Sequence, residues 1–186
     1  MPGDQWQGLD IGALRRLLDR QAIIDCIDRY ARGVDRGDEE LLRSAYHPDA
    51  VEDHGAYIGE VDGLVAYLGA VHRPFPAYQR YVTNFTLEID GDEAHGESYY
   101  FCVLRRDDAH KVFLSGGRYV DRLERRDGEW RIANRVVVLE WHGAADGGAP
   151  DPDGPLPGRR DRDDVSYQRP LRVTRQFRVP VRRHRS

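Results

Sequence analysis

The chain is predicted to adopt an α+β fold, with helices first and a curled antiparallel sheet after them. Three observations carry this. Between Arg20 and Asp35 the apolar residues Ile23, Ile27, Tyr30 and Val34 recur at three- and four-residue steps, which places them on one helical face. Between Val61 and Val71 apolar residues stand at 61, 64, 65, 68 and 71, again at helical spacing. From Arg80 onward, strand-like segments are separated by the turn signals DGD, RRDD and RRDG, as in an antiparallel meander.

The first helix is expected from about Asp10 to Val34, with Gly33 and Gly37 marking its end and Asp35 falling there. A second, short helix spans Asp38 to Tyr46. Asp38 is a natural N-cap, and Glu39 and Glu40 suit the first turn. HPDA breaks that helix, and Ala50 to Tyr57 reads as a strand turning near Gly59. The third helix ends before Pro74 and Pro76. Four strands follow, at Arg80–Ile89, Ala94–Leu104, Lys111–Glu124 and Glu129–Trp141. Residues 1–142 form the domain, 143–158 a Gly/Pro/Asp-rich loop, and 159–186 a basic extension packing on the domain or on a neighbouring subunit.

Composition narrows the function. A chain of 186 residues with 40% hydrophobic content can bury a real core. No apolar run approaches the ~20 residues of a membrane span. The opening MPGDQWQGLD carries no secretory pattern, so the expected location is cytoplasmic, with Cys26 and Cys102 as buried free thiols. No CxxC or HExxH motif points to a metal, and no cofactor is expected. Residues 159–186 hold ten arginines and three aspartates, a net +7, against −11 for the rest. Val173, Phe177, Val179 and Val181 alternate among those arginines, so an extended segment on acidic protein surface fits better than nucleic-acid binding. Lys111 is the single lysine and sits by a hairpin end, which argues against imine chemistry.

The order helix, helix, strand, helix, meander resembles the nuclear transport factor 2-like fold, also called a cystatin-like α+β barrel. RQAIIDCIDRYARGVDRGDEELLRSAYHPDA, TNFTLEIDGDEAHGESYYF and GGRYVDRLERRDGEWRIANRVV sharpen this to the SnoaL-like families, over residues 12–142. The resemblance implies a cone-shaped sheet wrapped by N-terminal helices. The chain is similar there to bile-acid 7-alpha-dehydratases, hexachlorocyclohexane dehydrochlorinases and, more distantly, scytalone dehydratases. These are cofactor-free lyases, typically trimeric, so a homo-oligomer is implied, a trimer before a dimer.

The first of these groups has a tyrosine and an aspartate at the separation of Tyr30 and Asp35, and Asp35 also matches the dehydrochlorinases. Their catalytic histidine aligns with Arg80, which is permanently protonated and cannot act as a general base. A dehydrochlorinase arginine matches Arg135. Similar phrases in lignin-derived aryl compound lyases imply carbon–carbon cleavage as a further option.

Tyr30 can polarise a substrate oxygen, or be a core tyrosine; Asp35 can orient a base or abstract a proton, or simply cap a turn. Strand alternation puts Glu52 and His54 on one face. His54 then either lines the cone in place of the missing histidine or is a polar loop residue. His72 reads as a helix-end cation. Arg80, Val82, Asn84 and Thr86 share a face, as do Arg131, Ala133, Arg135 and Val137, with Trp130 and Ile132 opposite. Arg80, Asn84 and Arg135 pointing inward would hold an oxyanion, carboxylate or phenolate; pointing outward, the arginines would form salt bridges with Glu97, Asp121 or Glu124. Tyr99, Tyr119 and Trp141 read as wall or subunit-contact aromatics. The expected activity is a cofactor-independent lyase, dehydratase-like, or an isomerase acting on a small hydrophobic oxygenated molecule. A non-catalytic binding module and a polyketide-type cyclase are the alternatives.

Overall fold

A computed structural model describes residues 10–106, 110–148, 150 and 155–173. Helix α1 spans Ile11–Arg36 and α2 Glu39–Ser44; strand β1 follows at Tyr46–Asp53, β2 at Ile58–Glu60 and helix α3 at Val61–His72. Four long strands complete the domain: β3 Ala77–Asp90, β4 Glu93–Arg105, β5 Lys111–Arg126 and β6 Glu129–Asp146. They form one curved open sheet in the order β2-β1-β6-β5-β4-β3. Every neighbouring pair is antiparallel except β1 with β6, which is parallel.

Local chemistry sets the helix limits. The Asp10 side chain accepts the Ala13 N–H at 3.1 Å and starts α1. At the other end Gly37 takes φ 63°, its N–H reaching the Val34 carbonyl and the Asp38 N–H the Gly33 carbonyl. This Schellman arrangement needs a residue at ease in the left-handed region. It delivers Asp38 straight to the N-cap of α2, where it accepts the Leu41 N–H. Gly33 permits the tight turn-back: a Cβ there would lie 2.6 Å from the Leu42 backbone nitrogen.

The helical stripe is buried as its period requires. Ile23, Ile27, Tyr30 and Val34 are at most 3% exposed, and they pack with Leu64 and Leu68 of α3 and with Tyr119, Leu123, Trp130 and Ile132 of the sheet. Burying each such side chain contributes about 1.5–3 kcal/mol. Cys26 and Cys102 are free and buried.

The structure differs from the sequence expectations in several places. The strand expected at Ala50–Tyr57 begins at Tyr46, because the backbone after α2 goes directly into pairing with β6, and α2 stops at Ser44. Strand β6 runs to Asp146, paired with Lys111, so the expected loop at 143–158 starts later. Bulges change which residues share a face. On β3 the register moves from Thr83↔Tyr99 to Thr86↔Glu97, and Asn84 takes φ 55°. Asn84 is thereby exposed and does not share the inward face of Arg80 and Val82. On β6 the register skips Ala133, so Trp130, Ile132 and Arg135 all turn inward.

After β6, residues 155–173 return across the ends of α1 and α3, with a 3-10 turn at Val165–Tyr167. The alternation expected from Val173 to Val181 falls, beyond Val173, outside the described residues.

Candidate active site

Helix α1 delivers two polar groups to the concave side of the sheet. Tyr30 is fully buried between Tyr46 and Tyr119, edge-on to both. Its hydroxyl makes no well-formed hydrogen bond; Tyr119 stands close enough only to ease its ionisation slightly. Burial holds the Tyr30 phenol above its ordinary pKa, against the pull of Arg80. In the last turn of α1, one oxygen of Asp35 accepts the Arg80 backbone N–H at 3.0 Å. Its other oxygen, Oδ1, is buried without a partner. Burial raises the Asp35 pKa to about 6, opposed chiefly by the Arg80 charge.

Strand β3 supplies Arg80 at the centre of an aromatic cage. Its guanidinium lies 5.0 Å from the Tyr30 ring centre, 5.2 Å from Tyr78 and 5.9 Å from Tyr119. Nη2 donates to the Tyr78 hydroxyl at 2.7 Å and Nε to the Cys102 sulfur at 3.4 Å, while Nη1 is buried and unpartnered. Arg135 also packs on Tyr30 and Tyr119, 4.2 Å and 4.3 Å from their ring centres. It is fully buried and paired with Asp121 through two bonds of 2.6 and 2.7 Å.

Strand β1 adds a hydrogen-bonded chain. Glu52, 2% exposed, accepts the Tyr46 hydroxyl on one oxygen and pairs with His54 Nδ1 at 2.5 Å on the other. This fixes the His54 ring and leaves its Nε2 as the nitrogen for any other partner. The shared face of Glu52 and His54 is therefore the inner one. His72, at the end of α3, packs on Tyr78 with ring centres 4.4 Å apart, and its Nδ1 is buried and unpartnered. Burial first, then Arg80 and Arg160, lower its pKa to about 3. At neutral pH it is uncharged, which corrects its reading as a helix-end cation.

The extension closes this end of the domain. Arg160 donates to the carbonyls of Val34, Asp35, His72 and Phe75. Arg162 and the Tyr167 hydroxyl both reach Asp38. Beside this strap lies a cleft of about 460 Å³ bounded by Arg36, Tyr78, Val103, Leu156 and Arg160. Tyr78 stands between that cleft and Arg80.

Of the expected site residues, Tyr30, Asp35, Arg80 and Arg135 converge in one interior. His54 lies at its edge, tied to Glu52 rather than to Asp35. Asn84 does not join them, because the β3 bulge turns it outward. Sequence reasoning missed Tyr78 and Arg160 and took His72 for a cation; an aromatic two residues before Arg80 was the readable signal for the first. Tyr119 is a buried wall of the interior, whereas Tyr99 and Trp141 lie exposed on the outer face. Among the described residues no group of three or more His, Cys, Asp or Glu could hold a metal. No described helix is long and apolar enough to cross a membrane.

A curved open sheet wrapped by N-terminal helices is the architecture of the nuclear transport factor 2-like class of α+β domains. Residues 15–136 match the SnoaL-like domain family, and the chain belongs to it. An uncharacterized Mycobacterium tuberculosis protein, Rv2910c, is 29% identical over 129 residues, covering 67% of this chain and 87% of the relative. Hexachlorocyclohexane dehydrochlorinase 1 of Sphingobium indicum is 29% identical over 124 residues, 64% of this chain and 80% of that enzyme. The crystal structure of LinA superposes with a TM-score of 0.69 at 26% identity, covering 75% of this chain and 99% of LinA. Relatives of the chain thus include lyases.

Proposed function

We propose that the interior is the active site of a cofactor-independent lyase, with dehydration of a small hydrophobic oxygenated molecule as the favoured reaction and isomerisation as its close variant. The observation that carries this is the pair of buried, unpartnered atoms at one helix end, Tyr30 Oη and Asp35 Oδ1. Leaving two such groups unsatisfied costs about 1–3 kcal/mol each, which a ligand bound there would recover. The relationship to hexachlorocyclohexane dehydrochlorinase 1, an enzyme named for an elimination, supports the same class.

Asp35 is the base. A pKa of about 6 leaves it ionised at neutral pH yet basic enough to take a proton, whereas His72 near 3 is too weak. Asp35 Oδ1 removes the proton next to the activating carbonyl, and the electron pair of that C–H bond passes to the carbonyl oxygen. Arg80 Nη1 and the Tyr30 hydroxyl hold the resulting oxyanion. As the electrons return, the adjacent C–O bond breaks, and the departing oxygen takes the proton from Asp35 and leaves as water. Tyr30 stays neutral throughout, in keeping with its raised pKa. His54, held by Glu52, stands as the proton carrier at the rim. Arg135, committed to Asp121, shapes the rings that Arg80 packs on.

The test is turnover of a panel of β-hydroxy carbonyl compounds, first narrowed by thermal shift. Asp35→Asn should abolish turnover while folding persists; unchanged turnover would sink the mechanism. Arg80 in place of a histidine base favours a second reading, a non-catalytic small-molecule binder. Ligand binding with no turnover across the panel would establish it.

The outer face carries exposed Tyr81, Tyr99, Phe101, Val136 and Trp141, with Trp141 lying across Gly116. This apolar face supports self-association, with a trimer favoured over a dimer. Light scattering on the native chain and on Phe101→Asp reads it directly; a native monomer would refute it.

A further inference from the structure

We propose that the ligand of the interior carries a formal negative charge on oxygen, a carboxylate or phenolate, and that Arg80 is its counterion. This rests on the reading of the interior as the ligand site, and it goes further by naming the charge of what enters. Of the two guanidiniums beside Tyr30 and Tyr119, Arg135 has its carboxylate in Asp121. Arg80 forms no ion pair among the described residues. Its side-chain partners are a phenol and a thiol; Asp35 feels its charge but is bonded to the Arg80 main-chain N–H, not to the guanidinium. Nη1, the far tip of the side chain, is shut off from solvent and bonded to nothing. A guanidinium nitrogen sealed from solvent with no carboxylate bonded to the group is costly, and an anion bonded there would relieve that cost.

The surroundings fit one oxyanion with an apolar body. Tyr30 Oη, fully buried, is a further unpartnered group able to donate, and its ring lies 5.0 Å from the Arg80 guanidinium. Tyr78, Tyr100 and Tyr119 make the same interior aromatic, with Tyr100 stacked on Tyr119 at 4.7 Å. A carboxylate accepts up to four hydrogen bonds, whereas a neutral carbonyl leaves the charge of Arg80 uncompensated.

The experiment measures binding to the intact chain by calorimetry at pH 8. The probes are acetate, benzoate, cinnamate and 2-naphthoate, each beside its neutral amide. At least one carboxylate should bind ten-fold or more tightly than its amide. Arg80→Gln should erase that preference, and Arg80→Lys should retain part of it. Equal binding of acids and amides, no binding by any acid, or a preference that survives Arg80→Gln would overturn the proposal. Arg80→Met guards against misfolding: relieved of a buried unpaired charge, it should melt no lower than the native chain, and a loss of fold would show a structural role instead. A thiolate at Cys102 is the rival counterion; ultraviolet thiolate absorbance that disappears in Cys102→Ala would identify it and refute the ligand assignment. Binding and turnover separate the two readings. Arg80-dependent anion binding without turnover of any substrate sinks the lyase and leaves this inference standing. Asp35-dependent turnover of neutral substrates without anion preference does the reverse.

Discussion

The Asp35 carboxylate accepts the main-chain N–H of Arg80 at 3.0 Å, tying the last turn of α1 to the start of β3. One oxygen is fixed and the other stays free, so the group is both positioned and available. Its pKa of about 6 has opposite consequences for activity and for stability. Turnover needs the ionised form, so kcat/KM should fall as pH drops below about 6, and Asp35→Asn should cost about 10²–10⁴-fold. The folded-state pKa lies above the unfolded value of 3.8, so the stability Asp35 contributes is complete below 3.8 and is lost as pH rises through 6. At pH 8 Asp35→Asn should therefore be more stable than the native chain, by up to about 3 kcal/mol. Urea unfolding of both chains at pH 3 and pH 8 checks the sign.

The Arg135–Asp121 pair is fully buried, and removing one partner strands the other. Asp121→Ala should destabilise by about 3–5 kcal/mol. The double replacement Arg135→Met with Asp121→Leu should regain most of that loss. A double-mutant cycle in urea measures the coupling, and additive losses would contradict it.

At Gly33 a Cβ would press on Leu42 of α2, where both atoms are backbone or tightly packed. Gly33→Ala should cost about 1–3 kcal/mol despite its better helix propensity. A lower melting temperature is the expected result; a higher one would show that α2 can move away.

Arg160 binds four carbonyl oxygens with one side chain. Arg160→Ala should loosen the strap before it unfolds the domain. Faster proteolysis within residues 155–173 should appear, together with faster hydrogen exchange at Asp38 and Phe75, whose N–H bonds lie at the helix ends beside it. An unchanged cleavage rate would show that Arg162 and Tyr167 suffice.

The fold was legible where one period governs. The Ile23–Val34 stripe follows helical spacing and is buried throughout. The four meander strands are bracketed by turn signals, and their observed limits lie close to the expected ones. Legibility failed at bulges. Strict alternation put Asn84 beside Arg80 and opposed Trp130 to Arg135, but one extra residue on each strand reverses the face. For the site, Tyr30 and Asp35 were visible as polar residues at the end of an apolar helical stripe, and Arg135 through the resemblance and strand alternation. The neutral state of His72 was not, because it depends on Tyr78, Arg80 and Arg160, which are distant in sequence or set by packing. A pairing of the strand arginines with Asp121 was readable only as an outer-face salt bridge; that Arg135 and Asp121 pair inside depends on which side of the sheet the bulge exposes.

The β3 bulge also matters beyond the choice of inward side chains. Strand β3 spans fourteen residues and forms one border of the sheet, the kind of border on which a second chain could add a strand. Asn84, with its left-handed backbone, divides that border into two shorter lengths that do not continue each other in register. The opposite border, β2, has only three residues. The domain thus offers incoming strands little uninterrupted template at either margin, a built-in safeguard against runaway sheet growth that costs it only one misaligned residue.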